Sequence, residues 1–111
     1  MTRRLKEVCH KGMCPIAVVV DLVGDAWTLL IIRDLFQGPR RFGDLEVSLE
    51  GISTRTLSAK LKELETNGLV DRTSFKERPP RVEYSLTKHG VELQGIITAM
   101  KKYGMKMLKK K

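Results

Sequence analysis

Cysteine is scarce in this chain: 111 residues hold only two, Cys9 and Cys14. Two thiols cannot build a disulfide framework, so stability must come from a hydrophobic core, and an intracellular, cytoplasmic protein is the expectation. Long apolar runs are lacking as well. None reaches the ~18 residues that a membrane span needs. The charged N-terminus also lacks the apolar stretch and cleavage site of a signal peptide, so no membrane partner is expected. Acidic residues are a third shortage: 13 Asp and Glu stand against 21 Lys and Arg, a net charge of +8. That balance favours a polyanionic partner, nucleic acid before an anionic membrane. Catalytic apparatus is missing too. His10 and His89 lie in an arm and at a helix start, with no Ser or Cys elbow and no Gly-rich phosphate loop, so neither an enzyme nor a cofactor is expected. There is no internal repeat, and the only biased segment is the lysine-rich end from Lys101 to Lys111.

What is present is one small domain, residues 14–111, preceded by a basic arm over residues 1–13. The chain is long enough for a real core. Its organising stretch is Gly51 to Gly68. Ser53 is a good N-cap, with Ile52 and Leu57 spaced as a hydrophobic staple. Gly68 can take the left-handed conformation that ends a helix, and Leu69 can fold back on Leu64 as in a Schellman motif. Leu57, Leu61 and Leu64 share one face, which should be buried. The other face carries Arg55, Ala59, Lys62 and Thr66, and can approach another surface closely.

Upstream, Pro15 opens a helix over residues 15–22, although its β-branched run also permits a strand. Asp25 caps an almost wholly apolar helix over residues 26–36. A third helix spans residues 40–49, with Phe42, Leu45 and Leu49 inward. A short Gly-containing turn joins it to the Ser53 helix, which is the sequence form of a helix-turn-helix. After Gly68 the period shortens. Residues 69–75 and the alternating residues 82–86 read as a hairpin whose tip, residues 76–81, is stiffened by Pro79-Pro80. Thr87 then caps a single last helix over about residues 87–108.

DNA recognition is expected from two elements. On the Ser53 helix, Arg55 is the best candidate for a base edge, because guanidinium pairs well with guanine. Ser53, Thr54, Thr56, Ser58 and Lys62 are expected on phosphates or water-bridged positions. On the wing, Lys76, Arg78 and Arg81 are candidates for the minor groove or backbone, and Arg40 and Arg41 for phosphate. Each alone would be an ordinary solvated charge; their joint placement carries the reading. On the last helix Ile96, Ile97, Met100, Tyr103 and Met107 extend an apolar stripe past what a monomer needs, so pairing with a second copy is expected. A two-fold dimer would set two Ser53 helices ~34 Å apart in successive major grooves.

Cys9, His10 and Cys14 are too few for a closed zinc site, so no metal is expected. Cys14, at a helix N-terminus among Lys and Arg, is a candidate thiol sensor, because both features favour the thiolate; an inert, partly buried Cys is the alternative.

From Cys14-Pro15 through Asp21–Leu35, Gly38–Leu45, Gly51-Ile52-Ser53, Leu57-Ser58, Leu61–Glu65, Gly68-Leu69-Val70 and Arg72 to Pro80–Thr87 and Gly90, the chain resembles HxlR-type transcriptional regulators, relatives of the MarR type. The resemblance implies an α+β, mostly helical winged helix-turn-helix with a two-stranded wing and flanking N- and C-terminal dimerisation helices. It further implies a cytoplasmic homodimer on double-stranded operator DNA, and adds Ile16 and Val20 of the first helix to the dimer interface. Cys14 matches a cysteine that several members use to sense oxidants or electrophiles. Ala26 stands where a Lys commonly precedes the Trp; if that Lys touches the DNA backbone in relatives, this chain lacks the contact. The competing readings are a winged helix used as a protein–protein module, and a non-specific nucleic-acid coating protein with a steep salt dependence but no preferred site.

Overall fold

A computed structural model describes residues 14–110. Its elements run α1 (Pro15–Val23), α2 (Ala26–Leu35), α3 (Phe42–Ser48), α4 (Thr54–Thr66), β1 (Val70–Phe75), β2 (Arg81–Leu86), α5 (Lys88–Val91) and α6 (Gln94–Lys109). This is the order of a winged helix-turn-helix. The arm over residues 1–13, with Cys9 and His10, lies outside the described residues.

Helix wins over strand in α1 because Pro15 pre-sets its first turn, and the helix then carries Val23 into the core. Gly24 closes it, donating to the Val20 carbonyl at 2.7 Å, and α2 leaves at 79°. The Asp25 Oδ1 accepts from the Thr28 amide at 3.0 Å and caps α2. α2 then supplies the centre of the core. Ile31, Ile32 and Leu35 meet Leu45 and Leu49 from the α3 region, Leu57, Leu61 and Leu64 from α4, and Leu69 and Val70 at the start of the wing.

α4 has the ends its sequence announces. Ser53 Oγ accepts from the Thr56 amide at 3.0 Å. At the other end Leu69 donates to Leu64 and Gly68 to Glu65, both at 3.0 Å, with Gly68 at φ +75°. That is the paired bonding of a Schellman motif.

Two expectations need correction. The helix expected over residues 40–49 begins only at Phe42, because Arg40 is taken by the wing: it donates to Tyr84 O at 2.9 Å and accepts from Tyr84 N at 2.8 Å. The hairpin thus has a one-residue third strand. β2 is the half-buried strand that its alternation predicts, every residue being partly covered. Tyr84 and Leu86 lie on the core, while Arg81 and Glu83 on the other face shield one another as an ion pair. The single last helix is broken in two. Thr87 caps α5, accepting from Gly90 N at 3.1 Å, and α6 starts afresh after Leu93. The break follows from Gly90, which is buried so tightly against the Leu69 carbonyl and Leu86 that a Cβ there would collide with backbone. The short turn is pinned to the wing root, and α6 must set off from it.

Thr87 also closes the hairpin. Its hydroxyl donates to Gly68 O at 2.6 Å and its amide to Leu69 O at 3.0 Å. The two strands between pair antiparallel, from Val70 opposite Leu86 to Phe75 opposite Arg81.

Candidate nucleic-acid interface

The candidate recognition helix α4 presents Arg55, Ser58, Ala59 and Lys62 to solvent, while its leucines hold the opposite side in the core. Neither Arg55 nor Lys62 has an ion-pair or hydrogen-bond partner among the described residues, so both cations are open to a polyanion. Ser53 and Thr56 are committed to the cap, Ser53 Oγ donating to Thr56 Oγ1 at 2.9 Å. Thr54 is committed elsewhere: its hydroxyl donates to Glu46 Oε2 of α3 at 2.7 Å. That bond fixes the turn angle between the two helices, a role the sequence did not reveal.

Two further ties hold the helix-turn-helix on α2, one from α4 and one from α3. Lys60 Nζ lies 2.9 Å from Asp25 Oδ2, joining α4 to the start of α2. Burial pushes the Asp25 carboxyl up, but the Lys60 ammonium, the Thr28 amide and the Trp27 amide outweigh it and hold the pKa below its ordinary value. Asp34, buried at the end of α2, accepts from Ser48 of α3 and from Arg33 Nε at 3.0 Å. A buried carboxylate needs such donors to remain charged.

On the wing the basic residues divide. Lys76 and Arg78 are exposed at the tip without a partner among the described residues. Arg81, expected at the contact surface, is instead turned onto its own hairpin. Its guanidinium carbon sits 4.0 Å above the centre of the Phe75 ring, its Nε is 3.1 Å from Glu77 Oε2 without the alignment of a hydrogen bond, and its Nη1 is 3.5 Å from Glu83 Oε2. Arg40 is half-buried, its side chain bonded to Pro39 O at 3.1 Å and to Gln37 Oε1 at 3.3 Å. Arg41 is exposed, and its amide donates to Asp44 Oδ2 at 3.0 Å at the start of α3.

Ile16 and Val20 of α1 are exposed, as are Ile96, Met100, Tyr103 and Met107 of α6. Ile97 is different: with Leu93 it packs on the core of its own chain. Cys14 is the half-buried N-cap of α1, its carbonyl accepting from Val18 at 3.1 Å. Among the described residues no cluster of three metal-ligating side chains occurs, and no single helix is long and apolar enough to cross a membrane. One feature had no signal in the sequence, a cleft of about 380 Å³ between α2 and α6.

The stretch that builds this capped helix-turn-helix and wing matches a family model, that of the HxlR-like helix-turn-helix, over residues 22–111. The chain belongs to the HxlR family. It is therefore a helix-turn-helix transcriptional regulator and not an enzyme. The HTH-type transcriptional regulator sll1512 of Synechocystis is 48% identical over 106 residues, covering 94% of this chain and 78% of that one. Among solved structures, the redox regulator HypR in its oxidised form is 34% identical and superposes with a TM-score of 0.81, covering 84% of this chain and 96% of that one. The reduced form of the transcriptional regulator YodB from Bacillus subtilis is 38% identical, with a TM-score of 0.73, covering 82% and 90%. An HxlR-like chain of this kind shares its helix-turn-helix and wing with MarR-family structures too, one from Enterococcus faecalis at 39% identity and a TM-score of 0.75 over 86% of each chain.

Proposed function

We propose that this HxlR-family regulator is a cytoplasmic homodimer that binds double-stranded operator DNA at specific sequences. The carrying observation is the outer face of α4, where Arg55 and Lys62 stand exposed, without a partner among the described residues, on a helix fixed at both ends. In this reading α4 enters the major groove, with Arg55 on a base edge and Ser58 and Lys62 on the backbone, while Ser53, Thr54 and Thr56 fix the helix start. Lys76 and Arg78 reach the flanking backbone from the wing, Arg41 touches phosphate, and Arg40 and Arg81 brace the wing. The dimer forms through Ile16 and Val20 of α1 and Ile96, Met100, Tyr103 and Met107 of α6. The domain spans residues 14–111, its dimerising segment about 87–108, and the basic stretch of residues 1–13 precedes it. Cys14 senses oxidants or electrophiles; the likeness to a redox regulator supports this step.

The test is binding of the purified protein to genomic fragments, its own upstream region first, in reduced and diamide-treated form. Selective binding that changes on oxidation in the wild type, and does not in Cys14→Ser, supports both parts. Selective binding indifferent to diamide removes the switch alone. Binding without selectivity would sink the regulator reading in favour of a coating protein, and no salt-sensitive binding at all would favour a protein–protein module.

A further inference from the structure

The outer face of α4 carries more chemistry than the cations and hydroxyls assigned to DNA above. Arg55, Ala59 and Glu63 follow one another at four-residue steps, so they form one row along the helix, a turn apart. All three are exposed, on the side away from Leu57, Leu61 and Leu64. Their chemistry differs: a guanidinium, a bare methyl and a carboxylate. Glu63 is the unexpected member, because a carboxylate facing a polyanion costs binding unless something there donates to it. Lys60, three residues before it, does not neutralise it, since the Lys60 Nζ is drawn to Asp25 Oδ2 at 2.9 Å. The side chains of Glu63 and Arg55 have no ion pair or hydrogen bond among the described residues. Both therefore meet DNA with their hydrogen-bonding capacity unspent.

The major groove holds one counterpart for each member of the row. Guanine presents two acceptors, thymine a methyl group and cytosine an amino donor. Adenine also has an amino group, but it lies between two acceptors, its own N7 and the thymine O4, which repel a carboxylate. Four residues of helix rise ~6 Å, and a base pair rises ~3.4 Å, so the row spans about three to four base pairs. We propose that Ala59 and Glu63 determine specificity beside Arg55: Ala59 packs on a thymine methyl, and Glu63 accepts from a cytosine amino group. The proposal rests on the regulator reading above and adds which bases the helix takes. Each half-site then holds a thymine and a C·G pair within about four base pairs of the guanine that Arg55 reads. The neighbouring row of Ser58, Lys62 and Thr66, also exposed, has the hydroxyls and the cation that suit the flanking phosphates.

The probe is a duplex that the full-length wild-type protein selects from a random pool. Each thymine in it is replaced in turn by uracil, which lacks only the methyl. At one position of a half-site the replacement should weaken wild-type binding about fourfold, the worth of one buried methyl, and should leave Ala59→Gly unaffected. The ratio of the two duplexes is taken within each protein, so the looseness that glycine gives a helix cancels. No uracil-sensitive thymine, or an equal sensitivity in Ala59→Gly, would overturn the role of Ala59. Selection repeated with Glu63→Gln should lose at least about fivefold of the preference for one C·G pair and keep the rest of the site. Glu63→Gln removes no printed internal contact of an exposed side chain, so an unchanged melting temperature is expected and confirms folding. Affinity raised for every duplex alike, with preference unchanged at each position, would overturn the role of Glu63, which would then only repel phosphate. A selected duplex without these two sensitivities overturns the base assignment and leaves the regulator reading standing. A wild-type protein that selects no duplex overturns the regulator reading and the base assignment with it.

Discussion

Arg78 and Arg81 stand three residues apart on the same hairpin, and replacing each with Ala should give opposite signatures. Arg78 is exposed and has no partner among the described residues, so in the complex it is available to one phosphate. Each phosphate neutralised contributes ~0.9 to the slope of log affinity against log salt, and a dimer has two wings, so Arg78→Ala should flatten the slope by about 1.8. Between 50 and 200 mM salt the variant should then lose about 12-fold less affinity than the wild type does. Its stability should stay within about 0.5 kcal/mol, because no internal contact is removed. Arg81→Ala should do the reverse. It deletes a cation seated 4.0 Å over Phe75 and two carboxylate contacts on the wing. Together these are worth about 1–2 kcal/mol, or a melting temperature lower by ~4–10 °C, with the salt slope unchanged. Fluorescence anisotropy at four or five salt concentrations, beside thermal unfolding of each variant, reads both quantities. A slope change in Arg81→Ala as large as in Arg78→Ala would refute the reasoning, because Arg81 would then be leaving Phe75 and Glu77 for DNA.

Arg55→Ala should cost about 1–3 kcal/mol per half-site on a selected operator and little on random DNA, so competition against random fragments should show discrimination collapsing before affinity does. Asp25 has a folded pKa below its unfolded value, so the stability it adds is full above the unfolded pKa, 3.8, and is lost as pH falls through the folded one. Urea midpoints at pH 6 and pH 3 should differ, and Lys60→Met should narrow that difference; an unaltered difference would sever Asp25 from the acid loss. Gly90→Ala should cost about 1–3 kcal/mol by overpacking, seen as a lower urea midpoint with an unchanged slope. A neutral Gly90→Ala would mean that the wing root shifts freely.

What the sequence made legible was what local chemistry decides. Ser53, Gly68 and Leu69 each bring their own hydrogen-bonding or conformational preference, so both ends of α4 lie where those residues point. Leu57, Leu61 and Leu64 are spaced to be buried together, and they are. The misses all depended on partners that only the folded chain brings together. Nothing near Arg40 announces Tyr84, so the start of α3 was placed two residues early. The break after α5 is written in Gly90 only once Leu69 is known to lie against it. Arg81 read as a free cation because Phe75 and Glu77, its neighbours across the hairpin, are neighbours only after the strands pair. The cleft needed α2 and α6 to be set side by side, and Thr54 needed Glu46. Family resemblance carried the architecture, but it could not apportion the wing's arginines between DNA and the fold.

Thr87 has a consequence for how such chains can diverge. A single side chain and its amide grip Gly68 and Leu69, 19 and 18 residues upstream, and the same hydroxyl starts the next helix. The hairpin between is thus a cassette clamped at its root. Material added at the Pro79-Pro80 tip lengthens a loop that is already closed, and doubling a flexible loop costs only ~0.6 kcal/mol. Reach along DNA can therefore be retuned by grafting longer or shorter wings onto one unchanged chassis, whereas an insertion of even one residue between Leu86 and Thr87 would unlatch the wing and misalign α6 together.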